Sequence, residues 1–325
     1  MDVVVYVTNH KIEKETRNVD LYSMMGLKPF LKWVGGKTQI LPQVMALFPK
    51  DIHHYHEPFL GGGSVLLALL LLRQQGVVQV SGTIYASDLN PHLMGLYQHV
   101  QTDPEGLIAE VKRLTDEMAM CSNTEVNRKA STIEEALTSP ESYYYWIRSR
   151  FNGEMDSSSL VQSARLLFLN KTCFRGVYRE GPHGFNVPFG HYQNPTVLDS
   201  DHIRTVSTLL QGVVFRHASF DASLSAVAPG DFVYLDPPYA PESGTSFVSY
   251  TSDGFGLEDH RRLFAMCAGW KEKNVKMLLS NADVPLVREA FPSPPFTTLV
   301  VNCRRNIHSK EAAAARTQEV LITNW

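Results

Sequence analysis

The stretch Tyr55-His56-Glu57-Pro58-Phe59-Leu60-Gly61-Gly62-Gly63-Ser64 decides the fold class. A strand-like start runs into three consecutive glycines, and a helical run, Val65 to Gln75, follows. Thr83-Ile84-Tyr85-Ala86-Ser87-Asp88 then reads as a second strand that ends in an acid. Strand, glycine turn, helix and acid-terminated strand make a βαβ unit, the seed of a parallel sheet. The glycines let the backbone bend tightly and approach a ligand with no Cβ in the way. The helix start behind them offers free N–H groups. In nucleoside-binding sites, an acid placed like Asp88 accepts hydrogen bonds from the ribose hydroxyls. Neither the G-x-G-x-x-G dinucleotide spacing nor a G-x-x-x-x-G-K-[ST] triphosphate loop is present, so a different nucleotide-like cofactor is indicated. Taken alone, the element also reads as a plain turn.

The α/β pattern returns near residue 198. Phe232-Val233-Tyr234-Leu235 is a buried-type strand that runs into Asp236-Pro237-Pro238-Tyr239. The two prolines fix φ and cannot donate, so backbone carbonyls there stay free to accept. A carboxylate, free carbonyls and an aromatic face within four residues suit an exocyclic amine on a flat base. The acceptors take both amine hydrogens, which aims the nitrogen lone pair at an electrophile. A rigid surface turn is the alternative for this tetrapeptide. Glu258 to Lys271 and Pro285 to Phe291 read as helices, and Lys276–Ser280, Thr297–Val301 and Glu319–Thr323 as strands. Between about 92 and 197 the pattern differs. It is mostly helical to Asn170, with a polar stretch at Cys121–Ser131, and then a Gly- and aromatic-rich hairpin-like segment, Cys173 to Tyr192.

Four motifs, in this order, resemble the Dam-type DNA adenine-N6 methyltransferases (α group, D12 class). Phe30-Leu31-Lys32-Trp33-Val34-Gly35-Gly36-Lys37 is similar to their N-terminal cofactor motif, and Glu57–Ser64 to their main S-adenosyl-L-methionine motif. Phe185-Asn186-Val187-Pro188-Phe189-Gly190 resembles their target-recognition hairpin, and Asp236–Tyr239 their catalytic motif. The resemblance spans about residues 28 to 325. It implies a Rossmann-like methyltransferase sheet with an inserted, mainly helical target-recognition domain carrying a β-hairpin. The corresponding division is an N-terminal extension at 1–27, a catalytic domain at 28–91 and 198–325, and a recognition domain at 92–197. The functional core is thus expected to start near Lys28.

The same resemblance assigns roles by position. Trp33, Lys37, Phe59, Gly61, Gly63, Asp88 and Asp236 match cofactor-binding positions. Asp236, Pro237, Pro238 and Tyr239 match the catalytic tetrapeptide, with Tyr239 the base-stacking aromatic. Tyr250 resembles a second aromatic of the target-base pocket. Lys171, Phe174, Arg175, Arg179 and Asn186 fall on the DNA-contacting loop and hairpin, Phe174 as a wedge and Arg179 as a guanine-reading arginine. Arg175 stands where the bacterial Dam enzyme has Asn, so the target sequence is open, with GATC the first expectation. The implied reaction flips an adenine out of the duplex, stacks it on Tyr239 and methylates its N6 from S-adenosyl-L-methionine. Positioning and electrostatics do the work, so neither a metal nor a covalent cysteine is expected. An N4-cytosine or other amino-methyltransferase, and a DNA-binding relative without catalysis, remain alternatives.

Other residues admit blander readings. His53, His54 and His56 have metal-like spacing, but read as a solvated segment before a strand. Tyr143-Tyr144-Tyr145-Trp146 cannot share one helix face, so part of it is core. The four cysteines form no CxxC pair, which fits free thiols in a reducing compartment. The apolar run Val65–Leu72 is far short of the ~20 residues that span a bilayer. A soluble, intracellular monomer with no membrane partner is expected.

Length and charge bound the rest. At 325 residues and with 44% hydrophobic composition, the chain can bury a large core. Its net charge of −3 argues against a polybasic nucleic-acid binder only on average. Leu160–Gln193 carries +3 and Val301–Arg316 another +3, against −5 for Gln101–Tyr145. An acidic helical stretch therefore masks a basic hairpin, and double-stranded DNA stays the expected partner.

Overall fold

The computed structural model describes residues 28–121, 125–154, 156–241, 254–304 and 316–325. Tyr250, the N-terminal extension and the middle of the basic 301–316 stretch lie outside these residues. Seven strands make the central sheet: β1 (Tyr55–Glu57), β2 (Ile84–Asp88), β3 (Val213–His217), β4 (Phe232–Leu235), β5 (Lys276–Ala282), β6 (Thr297–Arg304) and β7 (Arg316–Thr323). Their spatial order is β6-β7-β5-β4-β1-β2-β3. The first five strands are mutually parallel, and β7 runs antiparallel to both β5 and β6. Strand order reverses between β1 and β4. In open α/β sheets that switch point is where ligands bind, outside the carboxyl ends of the strands. The glycine turn follows β1 there, and Asp236–Tyr239 follows β4.

Helices begin where side chains satisfy the first free N–H groups. Asn90 caps α3 (Pro91–Thr102), Asp103 caps α4 (Pro104–Ala119) and Ser139 caps α5 (Pro140–Gly153). Ser159 caps α6 (Leu160–Thr172), Asp199 caps α7 (Ser200–Leu209) and Ser219 caps α8 (Phe220–Leu224). Each such cap contributes about 1 kcal/mol. Two earlier helices, α1 (Leu41–Ala46) and α2 (Ser64–Gln74), bracket the glycine turn, and α9 (Leu257–Ala268) and α10 (Pro285–Ala290) follow β4 and β5.

The β4 side chains alternate between two cores, as a strand covered on both faces requires. Phe232 and Tyr234 join the core that holds α2, α3 and α6, while Val233 and Leu235 join that of α9 and α10. The leucines of α2 are buried nearly all round, because the helix packs under α1 and within that larger core. Helices α4, α5 and α6 stack outward from α3, which itself lies on β2 and β3. Residues of this helical region and of the sheet share one continuous apolar cluster.

The histidine segment corrects the sequence expectation. Only His53 is well exposed, while His56 on β1 is buried. Asp231, just ahead of β4, accepts from the His54 N–H and lies 3.2 Å from His53 Nδ1 and 3.0 Å from His56 Nε2. The acid comes from the neighbouring strand, which is why sequence spacing could not show it. His53, His54 and Asp231 fall within metal-ligand reach of one another. However, His54 Nδ1 accepts the Thr83 N–H at 2.7 Å, so its proton sits on Nε2 and the neutral ring has no free nitrogen for a metal.

Candidate active site and nucleic-acid face

The glycine turn is shaped by what stands against it. Gly61 and Gly63 have φ of +49° and +68°, the left-handed region that side chains disfavour. A Cβ on Gly61 would come within 3.0 Å of the Trp33 ring, and one on Gly63 would collide with the Tyr97 hydroxyl. Trp33 thus closes one side of the turn. Asp88, at the end of β2, accepts from Gly61 N–H and Asn90 N–H, both at 3.0 Å. Burial raises its pKa. A carboxylate has about four acceptor positions, so capacity remains for hydroxyl donors. Phe59 lies 5.8 Å from Phe220 in a stacked pair and 5.7 Å from Phe255, making an aromatic floor beside the turn.

The tetrapeptide after β4 meets the N-terminal motif directly. Lys37 Nζ lies 2.6 Å from Asp236 Oδ2, donates to the Gly35 carbonyl at 2.7 Å, and sits 4.9 Å from the Tyr239 ring centre. The lysine is only 5% exposed, so the pair is screened little by water. Burial pushes the Asp236 carboxyl up to about 6, with Lys37 opposing the rise and Glu319 adding to it. At neutral pH the group is therefore mostly ionised. Burial likewise lifts Glu57 to about 8, so this inner acid on β1 is protonated at pH 7. Tyr55 donates to Glu57 Oε2 at 2.7 Å. The Asp236 carboxylate thus faces the Lys37 ammonium, with the Glu319 carboxyl close enough to act on Asp236.

Behind the tetrapeptide, Asn281 Oδ1 accepts the Ala240 N–H at 3.0 Å and pins the chain as it leaves the two prolines. The Tyr239 hydroxyl donates to Glu319 Oε2 at 2.7 Å and lies 3.1 Å from Ser280 Oγ. Sequence reading passed over Glu57 and Glu319. The available signal was an acid placed directly before the apolar run Val320-Leu321-Ile322.

The basic segment folds back on the end of α6. Cys173 pairs with Phe189, Phe174 N–H donates to the Pro188 carbonyl at 2.8 Å, and Gly190 N–H to the Thr172 carbonyl at 2.8 Å. The hairpin itself is short, Glu180–Gly181 against Gly184–Phe185. Asn152 clamps Phe185 through both its amide oxygen and nitrogen, at 2.9 Å each. Phe174 is 48% exposed, a large apolar ring held in solvent. Arg175 and Arg179 are also exposed, and Lys171 is half-buried, with its pKa lowered by burial and by Lys32. Asn186 Oδ1 accepts from Arg179 Nε at 2.7 Å, so it orients the arginine. Arg175 adopts φ 58° and ψ 8°, followed by Gly176 at φ +64°.

This segment is joined to the N-terminal motif at Lys32 and Trp33. The Asn170 amide oxygen accepts from Lys32 N–H at 3.0 Å, and its nitrogen donates to the Lys32 carbonyl at 2.7 Å and to the Gly176 carbonyl at 3.3 Å. Trp33 stacks on Tyr178, ring centres 4.9 Å apart. Of the aromatic run on α5, Tyr143 and Tyr144 are fully buried, while Tyr145 and Trp146 are half-exposed beneath Arg148 and Arg150.

Sheet order, the glycine turn at the switch point and the Asp236–Tyr239 corner define a Rossmann-like methyltransferase. The family model described as D12 class N6 adenine-specific DNA methyltransferase matches residues 33–307, and the chain belongs to that family. It is 39% identical to the Type II methyltransferase M.MjaIII of Methanocaldococcus jannaschii, over 79% of this chain and 85% of the relative. It is 32% identical to the Type II methyltransferase M1.LlaDCHI of Lactococcus lactis subsp. cremoris, over 93% and 96%. The DNA adenine methylase of Vibrio cholerae (El Tor Inaba N16961) is 30% identical over 90% and 95%. Among the described residues, no helix is long and apolar enough to cross a membrane.

Proposed function

We propose that the chain transfers the methyl group of S-adenosyl-L-methionine to adenine N6 within a short duplex sequence, with GATC the first site to test. The observation that carries this reading is Asp236 at the end of β4, held by Lys37 and followed by two prolines and an aromatic ring. The residues present fit the cofactor. The turn at Gly61–Gly63 takes a left-handed backbone packed on Trp33 and Tyr97, Asp88 at its side keeps acceptor capacity for ribose hydroxyls, and the Asp236 carboxylate suits a nearby sulfonium. When bound, S-adenosyl-L-methionine supplies an electrophilic methyl group next to Asp236. Trp33, Lys37, Phe59 and Asp88 hold its surroundings.

The chain's own groups do the rest. Asp236 and a carbonyl of the Pro-Pro corner accept the two amine hydrogens, which directs the nitrogen lone pair outward and disperses the positive charge that develops there. Tyr239 stacks on the base once it has left the helix, which offsets the few kcal/mol of unstacking. Phe174 fills the gap in the duplex. Arg179, oriented by Asn186, pairs with guanine O6 and N7, and Arg175 reads a neighbouring base. Residues 92–197 form the recognition region, and Lys171 adds positive charge along the DNA. Tyr250 is assigned to the base pocket from its sequence position alone.

The test is methyl transfer from tritiated cofactor to duplexes, followed by mass analysis of the nucleosides. N6-methyladenine at one short sequence supports the reading. N4-methylcytosine as product, or tight duplex binding without incorporation on any sequence, refutes it.

A further inference from the structure

We propose that Glu319, on the antiparallel strand β7, is a positioning residue for methyl transfer: with Ser280 it anchors the Tyr239 hydroxyl and so fixes where the ring that receives the target base lies. This rests on the function proposed above. Tyr239 follows two prolines, so its backbone is stiff, but its side chain is free to pivot unless its far end is tied. Rotation about χ1 swings the whole ring and carries the hydroxyl with it, so a tie at the hydroxyl restrains that swing. The hydroxyl is tied at both available positions, donating to Glu319 Oε2 at 2.7 Å and lying 3.1 Å from Ser280 Oγ. The anchor also lies 80 residues away in sequence, on a strand that pairs with β5, where Ser280 and Leu321 are register partners. The sheet thus delivers both hydroxyl partners from adjacent strands to one point, while Lys37 sits over the ring.

The charge matters as well as the place. Glu319 raises the pKa of Asp236, so removing it also moves the acid limb of the reaction. Loss of the anchor should let the ring sample orientations in which the base is not held beside Asp236. That lowers kcat for the duplex more than it changes affinity for the cofactor.

The experiment is a double-mutant cycle on the full chain, read by single-turnover methylation of cognate duplex. Glu319→Ala and Tyr239→Phe should each slow the methyl-transfer step about 10-fold or more, and the double variant should be no slower than about 2-fold below either single. Glu319→Gln, which keeps an acceptor oxygen, should retain most of the rate. The cofactor Kd by calorimetry should stay within about 2-fold throughout, and the acid limb of Glu319→Ala should move downward in pH. A double variant whose losses multiply, or an equal loss of cofactor affinity, overturns the proposal. The side-chain rotamer gives a readout independent of activity. In protein carrying labelled tyrosine, the couplings that report χ1 of Tyr239 should show one rotamer in wild type and averaging between rotamers in Glu319→Ala. An unchanged single rotamer in Glu319→Ala refutes the anchor whatever the activity. A wild-type chain that methylates no duplex refutes the proposed function instead.

Discussion

Replacing Lys37 with Met tests the centre of the site. The substitution keeps the buried stem and removes the ammonium that lies 2.6 Å from Asp236 Oδ2. At an effective dielectric of about 20, that attraction is worth about 6 kcal/mol, a ceiling of four to five pKa units on Asp236. Water entering the vacated space reduces the effect, so a rise of about 2 units is the expected outcome. The wild-type carboxyl, pushed up to about 6 by burial, must be ionised to accept the amine hydrogens. Activity should therefore rise with pH and level off above neutrality. In Lys37→Met the same limb should move to about pH 8, and at pH 7 the ionised fraction should fall from about nine-tenths to about one-tenth. The assay is the pH dependence of single-turnover methylation at saturating cofactor, with melting curves to show that the fold persists. Saturation matters because Lys37 borders the cofactor turn. An acid limb that stays near pH 6 in Lys37→Met would refute the electrostatic role given to this pair.

Other expectations follow from the same geometry. Arg179→Ala should flatten discrimination between cognate and altered duplexes, costing about 1–3 kcal/mol at one base pair, while calorimetric cofactor affinity holds. Lys171→Gln should reduce the slope of log affinity against log salt by about one phosphate contact, measured by anisotropy of a labelled duplex. Arg175→Asn should raise the melting temperature, because Asn tolerates the left-handed φ of 58° at this position better than Arg does, by up to about 1 kcal/mol. Burial lifts Glu57 from the ordinary carboxylate range to about 8, so the folded chain keeps a proton that the unfolded chain has released. Stability from this group is therefore full below about pH 4.5 and lost as pH rises toward 8, by a ceiling of about 5 kcal/mol. Denaturant titrations should show Glu57→Gln with a flatter decline over that window, and identical slopes would count against a protonated Glu57.

The parts of the site that sequence made legible are those carried by local chemistry. Three glycines need no context to mark a left-handed turn, and Asp-Pro-Pro-Tyr announces a carboxylate, free carbonyls and a ring within four residues. The helix starts carry an equally local signal that sequence reading left unused, since Asn90, Asp103, Ser139, Ser159, Asp199 and Ser219 each sit ahead of the helix they cap. Strand β3 was not singled out, since Val213-Val214-Phe215-Arg216-His217 follows a helix with only Gln211-Gly212 as punctuation. The antiparallel insertion of β7 was also illegible, because direction is a property of pairing and not of composition.

That last omission explains the missed residue. Glu319 reaches Tyr239 only because β7 enters the sheet between β5 and β6. Had β7 taken the outer edge instead, the acid would have stood one strand further from Ser280. The same logic applies at the other end of the site. Asn170 lies in the last turn of α6, yet its side-chain bonds at this junction go to Lys32 and Gly176, on either side of the boundary that composition drew at residue 92. The composition shift marks where the chain's character changes. The hydrogen bonds join the Lys32 segment and the Arg175–Gly176 turn into one surface, so on the proposed function a base read by Arg175 or Arg179 would be held at a set distance from Asp236.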